Sequence, residues 1–126
     1  CIANRTSERA GAIRDEFGKP VLLIPWEQRA DALGDAALLI NTTSLGMEGQ
    51  PALDIDLAKL PATSVVYDIV YVPLETPLLA AARARGNSAI DGLGMLLHQA
   101  RPGFREWFGT DPVVDQALRD HVLAAL

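Results

Sequence analysis

A single cysteine in 126 residues excludes any intrachain disulfide and any zinc cage built on cysteine, a usage that agrees with a reducing cytoplasm. Long apolar runs are missing too. Segments such as Ala36 to Ile40 and Leu78 to Ala82 fall far short of the ~20 residues a helix needs to cross a bilayer, so no membrane span is expected. Positive charge is scarce, with 11 Lys plus Arg against 16 Asp plus Glu and a formal net charge of -5. The summed field repels a polyanion, which makes nucleic acid a poor partner. A few arginines gathered in one place can still hold one small phosphate. His98 and His121 are the only histidines, with no carboxylate or cysteine at ligand spacing, so each reads as a packed or solvated side chain and no metal site is expected. There is no internal repeat and no low-complexity tract. What remains is 49% hydrophobic and 21% charged, near the globular norm, in a length suited to one domain.

The chain opens on Cys1 rather than methionine and passes at once into a strand-like Ile2-Ala3, so further sequence upstream is expected. A mature bacterial lipoprotein also starts at cysteine, but it normally continues into a polar tether rather than a folded element.

Segments alternate in type, which is the main fold signal. Ile2-Ala3-Asn4 reads as the end of a strand, and Thr6 or Ser7 can cap a helix with Ala10, Ile13 and Phe17 on one face, ended by Gly18. Val21 to Ile24 and Ala36 to Ile40 are continuous apolar runs of the kind found in strands buried on both faces, with a short helix around Glu27 to Leu33 between them. From Glu48 to Pro61 a loop is expected, with one turn of helix at Leu57 to Leu60. Ser64 to Val70 is the next strand. Thr76-Pro77 opens a helix that Gly86 stops, Ser88 to Ile90 is a last short strand, and a helix from about Gly92 contains Pro102, where a kink is expected. Asp111-Pro112 opens a terminal helix with Val114, Ala117, Leu118, Val122 and Ala125 on one stripe. Four strands alternating with helices imply an α/β fold: a doubly wound, mostly parallel, Rossmann-like sheet covered on both sides.

Such sheets bind ligands in the crevice outside the carboxyl ends of their strands. Four stretches fall there and should converge. In Asn4 to Arg9 an arginine stands where dinucleotide folds place either an acidic residue for the ribose 2'-hydroxyl or an arginine for a 2'-phosphate. Arg9, one turn along, can share the same anion beside the positive helix terminus. By pattern alone, though, Arg5 and Arg9 are more simply solvated charges. Asn41 to Met47 offers short polar side chains for pyrophosphate or ribose oxygens, and the same groups can cap the loop's own amides, which pattern alone favours. In Asp68 to Tyr71 the aspartate beside an apolar strand needs hydrogen-bond partners if buried and reads as structural, whereas Tyr71 is freer. Asp91 to Met95 has two glycines but no third at the fingerprint spacing. Glycine at that helix start allows close backbone approach by a planar ring, and Gln99 lies one turn beyond Met95 on the same face.

Taken in order, the strings NRTSER, NTTSLGM, YDIVYVPLETPLL and DGLGMLLHQA resemble the carboxyl-terminal half of the shikimate dehydrogenase family, over the chain from about Ile2 to its end. The resemblance implies NADP-dependent, reversible reduction of 3-dehydroshikimate to shikimate, in the aromatic amino-acid pathway of the cytoplasm. It implies that Asn4, Arg5, Thr6 and Arg9 form the 2'-phosphate and adenine-ribose site and that Thr43 lines the cofactor. Ile69 and Gly92 would face the nicotinamide with Met95 beside it, and Tyr71 and Gln99 would reach shikimate. The family often has methionine where Ile69 stands. Its catalytic lysine and aspartate belong to an amino-terminal substrate domain, and its glycine-rich loop precedes the strand ending at Asn4. Residues 1–126 are therefore expected to be a partial NADP-binding domain with carboxyl-terminal helices, without catalytic residues of its own and inactive alone. Two alternatives stand beside this: an NAD-using quinate/shikimate dehydrogenase, against which Arg5 argues, and a non-catalytic nucleotide-sensing domain.

Overall fold

A computed structural model describes residues 1–18 and 20–126. Its strands are β1 (Ile2–Ala3), β2 (Leu23–Ile24), β3 (Leu38–Asn41), β4 (Val65–Asp68) and β5 (Ser88–Ile90). The opening segment counts as a strand in its own right, so the described residues hold five where four were expected. All pairings are parallel, but they fall into two ribbons, β1-β2 and β3-β4-β5, rather than one sheet. Within the second ribbon Asn41 lies opposite Asp68 and Tyr67 opposite Ile90, which brings three strand ends to one rim. The run from Val21 is shorter than expected because β1 offers only two residues to pair with, and Val21 N–H turns back to the Gly18 carbonyl.

Helix α1 (Ser7–Phe17) buries Ala10 but leaves Ile13 37% and Phe17 68% exposed, so its apolar face is only partly covered. Thr6 is its cap residue without a side-chain capping bond; its own N–H donates to Asn4 Oδ1 at 2.9 Å. The expected helix around Glu27 to Leu33 is instead two 3₁₀ turns, Trp26–Gln28 and Asp31–Leu33. A piece this short lacks the length to sustain α-helical bonding unaided, and the Arg29 guanidinium takes the Trp26 carbonyl. Leu57 to Leu60 closes as a turn through Leu60 N–H to the Leu57 carbonyl rather than as a helix.

The core is Leu33, Leu57, Leu60, Val66, Leu78, Leu79 and Ala82, with Leu39, Leu53, Ile55 and Ala89 packed against it. Helix α2 (Pro77–Ala84) supplies three of these residues and is capped as its sequence suggests: Thr76 Oγ1 accepts from Leu79 N, and Gly86 turns away with φ 87°. Burial of the strands on both faces does not hold throughout. Leu38, Ile40 and Ile90 remain about half exposed, while their neighbours Leu39 and Ala89 pack inward, because only one face of the three-stranded ribbon meets this core.

Helix α3 (Leu93–Phe108) runs through Pro102, and α4 (Gln116–Leu123) follows. The last helix begins later than Asp111-Pro112 suggests. The Asp111 carboxylate is taken by Arg101 in a two-pronged pair, and Asp115 Oδ1 caps α4 by accepting from Leu118 N at 2.9 Å.

Candidate functional site

The rim of strand ends is held by backbone approach and by one buried polar network. At β3, Asn41 is 2% exposed and uses its whole amide: Nδ2 donates to the Leu45 carbonyl and to Asp68 Oδ1, each at 3.0 Å, while Oδ1 accepts from Thr43 N and Thr43 Oγ1. Thr43 Oγ1 also accepts from Leu45 N at 3.1 Å. The loop's polar groups thus do cap its own amides, and Thr43 still lines a cavity. At β4 the fully buried Asp68 carboxylate accepts from Asn41, from Val70 N at 3.1 Å and from Thr76 Oγ1 at 2.8 Å, the structural role expected of it. Ile69 N donates to the Asn41 carbonyl at 3.1 Å, so the chain leaving β4 still follows β3. Ile69 and Tyr71 are half-buried.

Gly92 meets that same segment from the other side. Its N–H donates to the Val70 carbonyl at 3.1 Å, and a Cβ placed on it would sit 1.9 Å from the Ile69 carbonyl oxygen. Only a residue with no side chain lets the turn into α3 press so closely on the end of β4. Met95 and Gln99 follow on α3, both exposed, and among the described residues no side-chain hydrogen bond engages Gln99 or the Tyr71 hydroxyl. The structure thus brings Thr43, Ile69 and Gly92 into one bonded cluster.

Asp91 fixes this turn from behind. Its Oδ1 accepts from Leu93 N at 3.1 Å and its Oδ2 from the Arg119 guanidinium at 2.6 Å, tying α4 to the start of α3. The pair is partly buried, with side chains 26% and 15% exposed. R119M should therefore lower unfolding stability by about 1–2 kcal/mol, measured by urea denaturation, because Asp91 loses its cation in a half-dry setting.

The NRTSER stretch stands apart from the cluster but joins it through a shared wall. Asn4, Arg5 and Ser7 line a cavity of about 360 Å³ with Ile24 and Trp26. Ile24 and Trp26 also line a larger one of about 440 Å³, with Ala3 of β1, Leu38 to Asn41 of β3, and Thr42 and Thr43. The two cavities thus share Ile24 and Trp26, with Arg5 lining one and Thr43 the other. Arg9 is exposed on α1 and does not line the smaller cavity, so the arginine pair is only half assembled around it. Among the described residues neither arginine forms an ion pair with a carboxylate.

Trp26 and Arg29 are the participants that sequence reasoning passed over. The Arg29 guanidinium lies 4.4 Å from the Trp26 ring centre, and both line the larger cavity. The signal was available: Pro25-Trp26-Glu27 follows the carboxyl end of β2, the one strand end left out of the four stretches.

Residues 92–119 match the family described as Shikimate 5'-dehydrogenase C-terminal domain. The shikimate dehydrogenase (NADP(+)) of Paramagnetospirillum magneticum is 59% identical over 123 residues, 98% of this chain and 45% of that protein. The chain thus spans less than half the length of that curated relative. Among solved structures, quinate dehydrogenase from Corynebacterium glutamicum in complex with NAD superposes with a TM-score of 0.82 at 32% identity, covering 98% of this chain and 45% of its own. Shikimate 5-dehydrogenase from Thermus thermophilus in complex with NADP(H) and shikimate gives 0.73 at 35% identity, over 88% of this chain and 40% of its own. Sequence and fold agree: the chain belongs to the shikimate dehydrogenase family, and it corresponds to the carboxyl-terminal portion of those relatives.

Proposed function

We propose that this chain is the cofactor-binding part of an NADP-dependent oxidoreductase that interconverts 3-dehydroshikimate and shikimate in the cytoplasm. The observation that carries the reading is the 59% identity, along 98% of the chain, to a relative named for that activity. The rim fits such a cofactor in three respects. Arg5 lines a cavity that it shares with Glu27 and, among the described residues, forms no ion pair; Thr43 lies beyond the shared Trp26 wall; and Gly92, with no side chain, lets the turn into α3 close on the Ile69 and Val70 backbone. Asn4, Arg5, Thr6 and Arg9 would hold the 2'-phosphate and adenine ribose, Thr43 the intervening oxygens, and Ile69, Gly92 and Met95 the nicotinamide end. Tyr71 and Gln99 would donate hydrogen bonds to the sugar acid. When bound, the nicotinamide supplies the hydride; these residues orient it and exclude water, and none of them is placed to protonate the developing alkoxide.

That proton and the rest of the substrate pocket would come from an amino-terminal domain. With it would come a strand seated between β1 and β3, giving the order β2-β1-strand-β3-β4-β5 of a doubly wound sheet. Supporting this, β1 and β3 each pair on one side only, both border the larger cavity, and Leu38 and Ile40 lie open on the face that a following helix would cover.

The test is an assay of shikimate-dependent NADP reduction, with residues 1–126 alone and within a polypeptide carrying the amino-terminal domain. Turnover is expected only in the second; a folded, full-length protein without it ends the proposal. A second reading, an NAD-using quinate dehydrogenase, draws on the C. glutamicum structure, the better superposition of the two. The same assay with quinate and NAD separates them.

A further inference from the structure

We infer that Asp68 is a positioning residue that sets the cofactor loop and the substrate-side strand end as one unit; the inference rests on the function proposed above. The network around it joins two places that the chemistry needs in fixed relation. Oδ1 receives Asn41 Nδ2, and through Asn41 Oδ1 that bond fixes both the amide and the hydroxyl of Thr43. The same Oδ1 receives Val70 N, which shapes the turn between Ile69 and Tyr71. Val70 in turn accepts from Gly92 N, carrying the constraint to the start of α3. Oδ2 takes the remaining donor, Thr76 Oγ1, whose second contact is Leu79 N at the head of α2.

The cost of this arrangement argues that it does more than fill the core. Asp68 is fully buried, and among the described residues no cation pairs with it, so three neutral donors alone offset its desolvation. A smaller apolar residue would pack between Val66 and Val70 without that cost. What the carboxylate adds is reach: one oxygen bridges two adjacent strand ends, and the other anchors that bridge to a helix. Thr43 on one side and Ile69 to Tyr71 on the other then cannot drift independently, which matters where donor carbon and ketone must be held in contact.

Three variants of the full-length enzyme separate positioning from stability. D68A removes the bridge and is expected to raise KM for NADP and for shikimate together, each roughly 10- to 100-fold. D68N can turn its amide oxygen to Asn41 and Val70 and its NH2 to Thr76 Oγ1, so it should restore both KM values to within about threefold. T76V severs only the helix anchor; it should lower the thermal midpoint yet leave both KM values within about twofold. If the KM changes track the midpoint across all three, the inference fails. Backbone hydrogen exchange reads the same claim without catalysis. Residues 42–46 and 69–72 should exchange about tenfold faster in D68A while α1 is unchanged. Should D68A not fold, N41A carries the exchange test, because it breaks the same bridge from the other strand. Faster exchange everywhere, or in neither segment, overturns the inference even if the enzyme proves to have a different substrate. Exchange as expected, with a wild-type enzyme that fails to oxidise shikimate, sinks the proposed function and leaves Asp68 as the coupling residue.

Discussion

Substituting alanine for Gly92 should cost at least about 3 kcal/mol of stability and lower kcat/KM by more than about 100-fold in a full-length enzyme. The added methyl carbon would lie 1.9 Å from the Ile69 carbonyl oxygen and 2.8 Å from that of Val70, contacts with backbone that no side-chain rotation relieves. Either α3 moves away from the strand end, or the Ile69 to Tyr71 segment does. Both movements separate surfaces that, on the proposed function, must stay in register for nicotinamide and sugar acid to meet. Gly94, two residues on, is the internal control. A Cβ there meets nothing within 4 Å, and the position is helical, so G94A should be neutral or stabilising by up to about 1 kcal/mol. Urea denaturation of the two variants side by side measures the contrast, and equal destabilisation would remove the steric argument.

Arg5 carries the second large effect. A guanidinium on a 2'-phosphate forms charge-assisted bonds worth roughly 1.5–3 kcal/mol, so R5A should raise KM for NADP about 10- to 100-fold. KM for NAD, which has no phosphate there, should change by less than about twofold. Because Arg9 does not line the cavity that Arg5 lines, R9A should have the smaller effect of the two. Raising the salt concentration should weaken NADP binding in the parent and less so in R5A, since an exposed charge pair is screened. Equal loss on both coenzymes would move the phosphate elsewhere.

How much of this was legible in the sequence depends on how local each signal is. Helix α2 could be read to the residue at its start, because Thr76-Pro77 and Gly86 act on their own backbone. The start of α4 could not, although Asp111-Pro112 is an equally good local signal. A remote partner, Arg101, claims the Asp111 carboxylate and leaves the cap to Asp115. Continuous apolar runs correctly marked parallel strands, but they could not tell a face packed on the core from the open one that Leu38, Ile40 and Ile90 share. At the site, the rule about carboxyl ends picked out the stretches that hold Thr43, Ile69 and Gly92, the family resemblance singled out those residues, and the structure binds them together. It also grouped Arg5 with Arg9 by helical spacing, where the cavity admits only the first. Trp26 was missed because its segment looks like the start of an ordinary helix, and only the fold turns its ring into a wall between two cavities.

That ring makes the molecule its own reporter. The chain has two tryptophans, and they differ sharply in setting: Trp107 is 80% exposed near the end of α3, whereas Trp26 is half-buried beneath the Arg29 cation. A water-soluble collisional quencher will silence the former first and leave emission dominated by the latter. Any compound that enters the smaller chamber between Arg5 and Trp26 then changes the surviving signal, so occupancy can be followed optically without a label and without turnover.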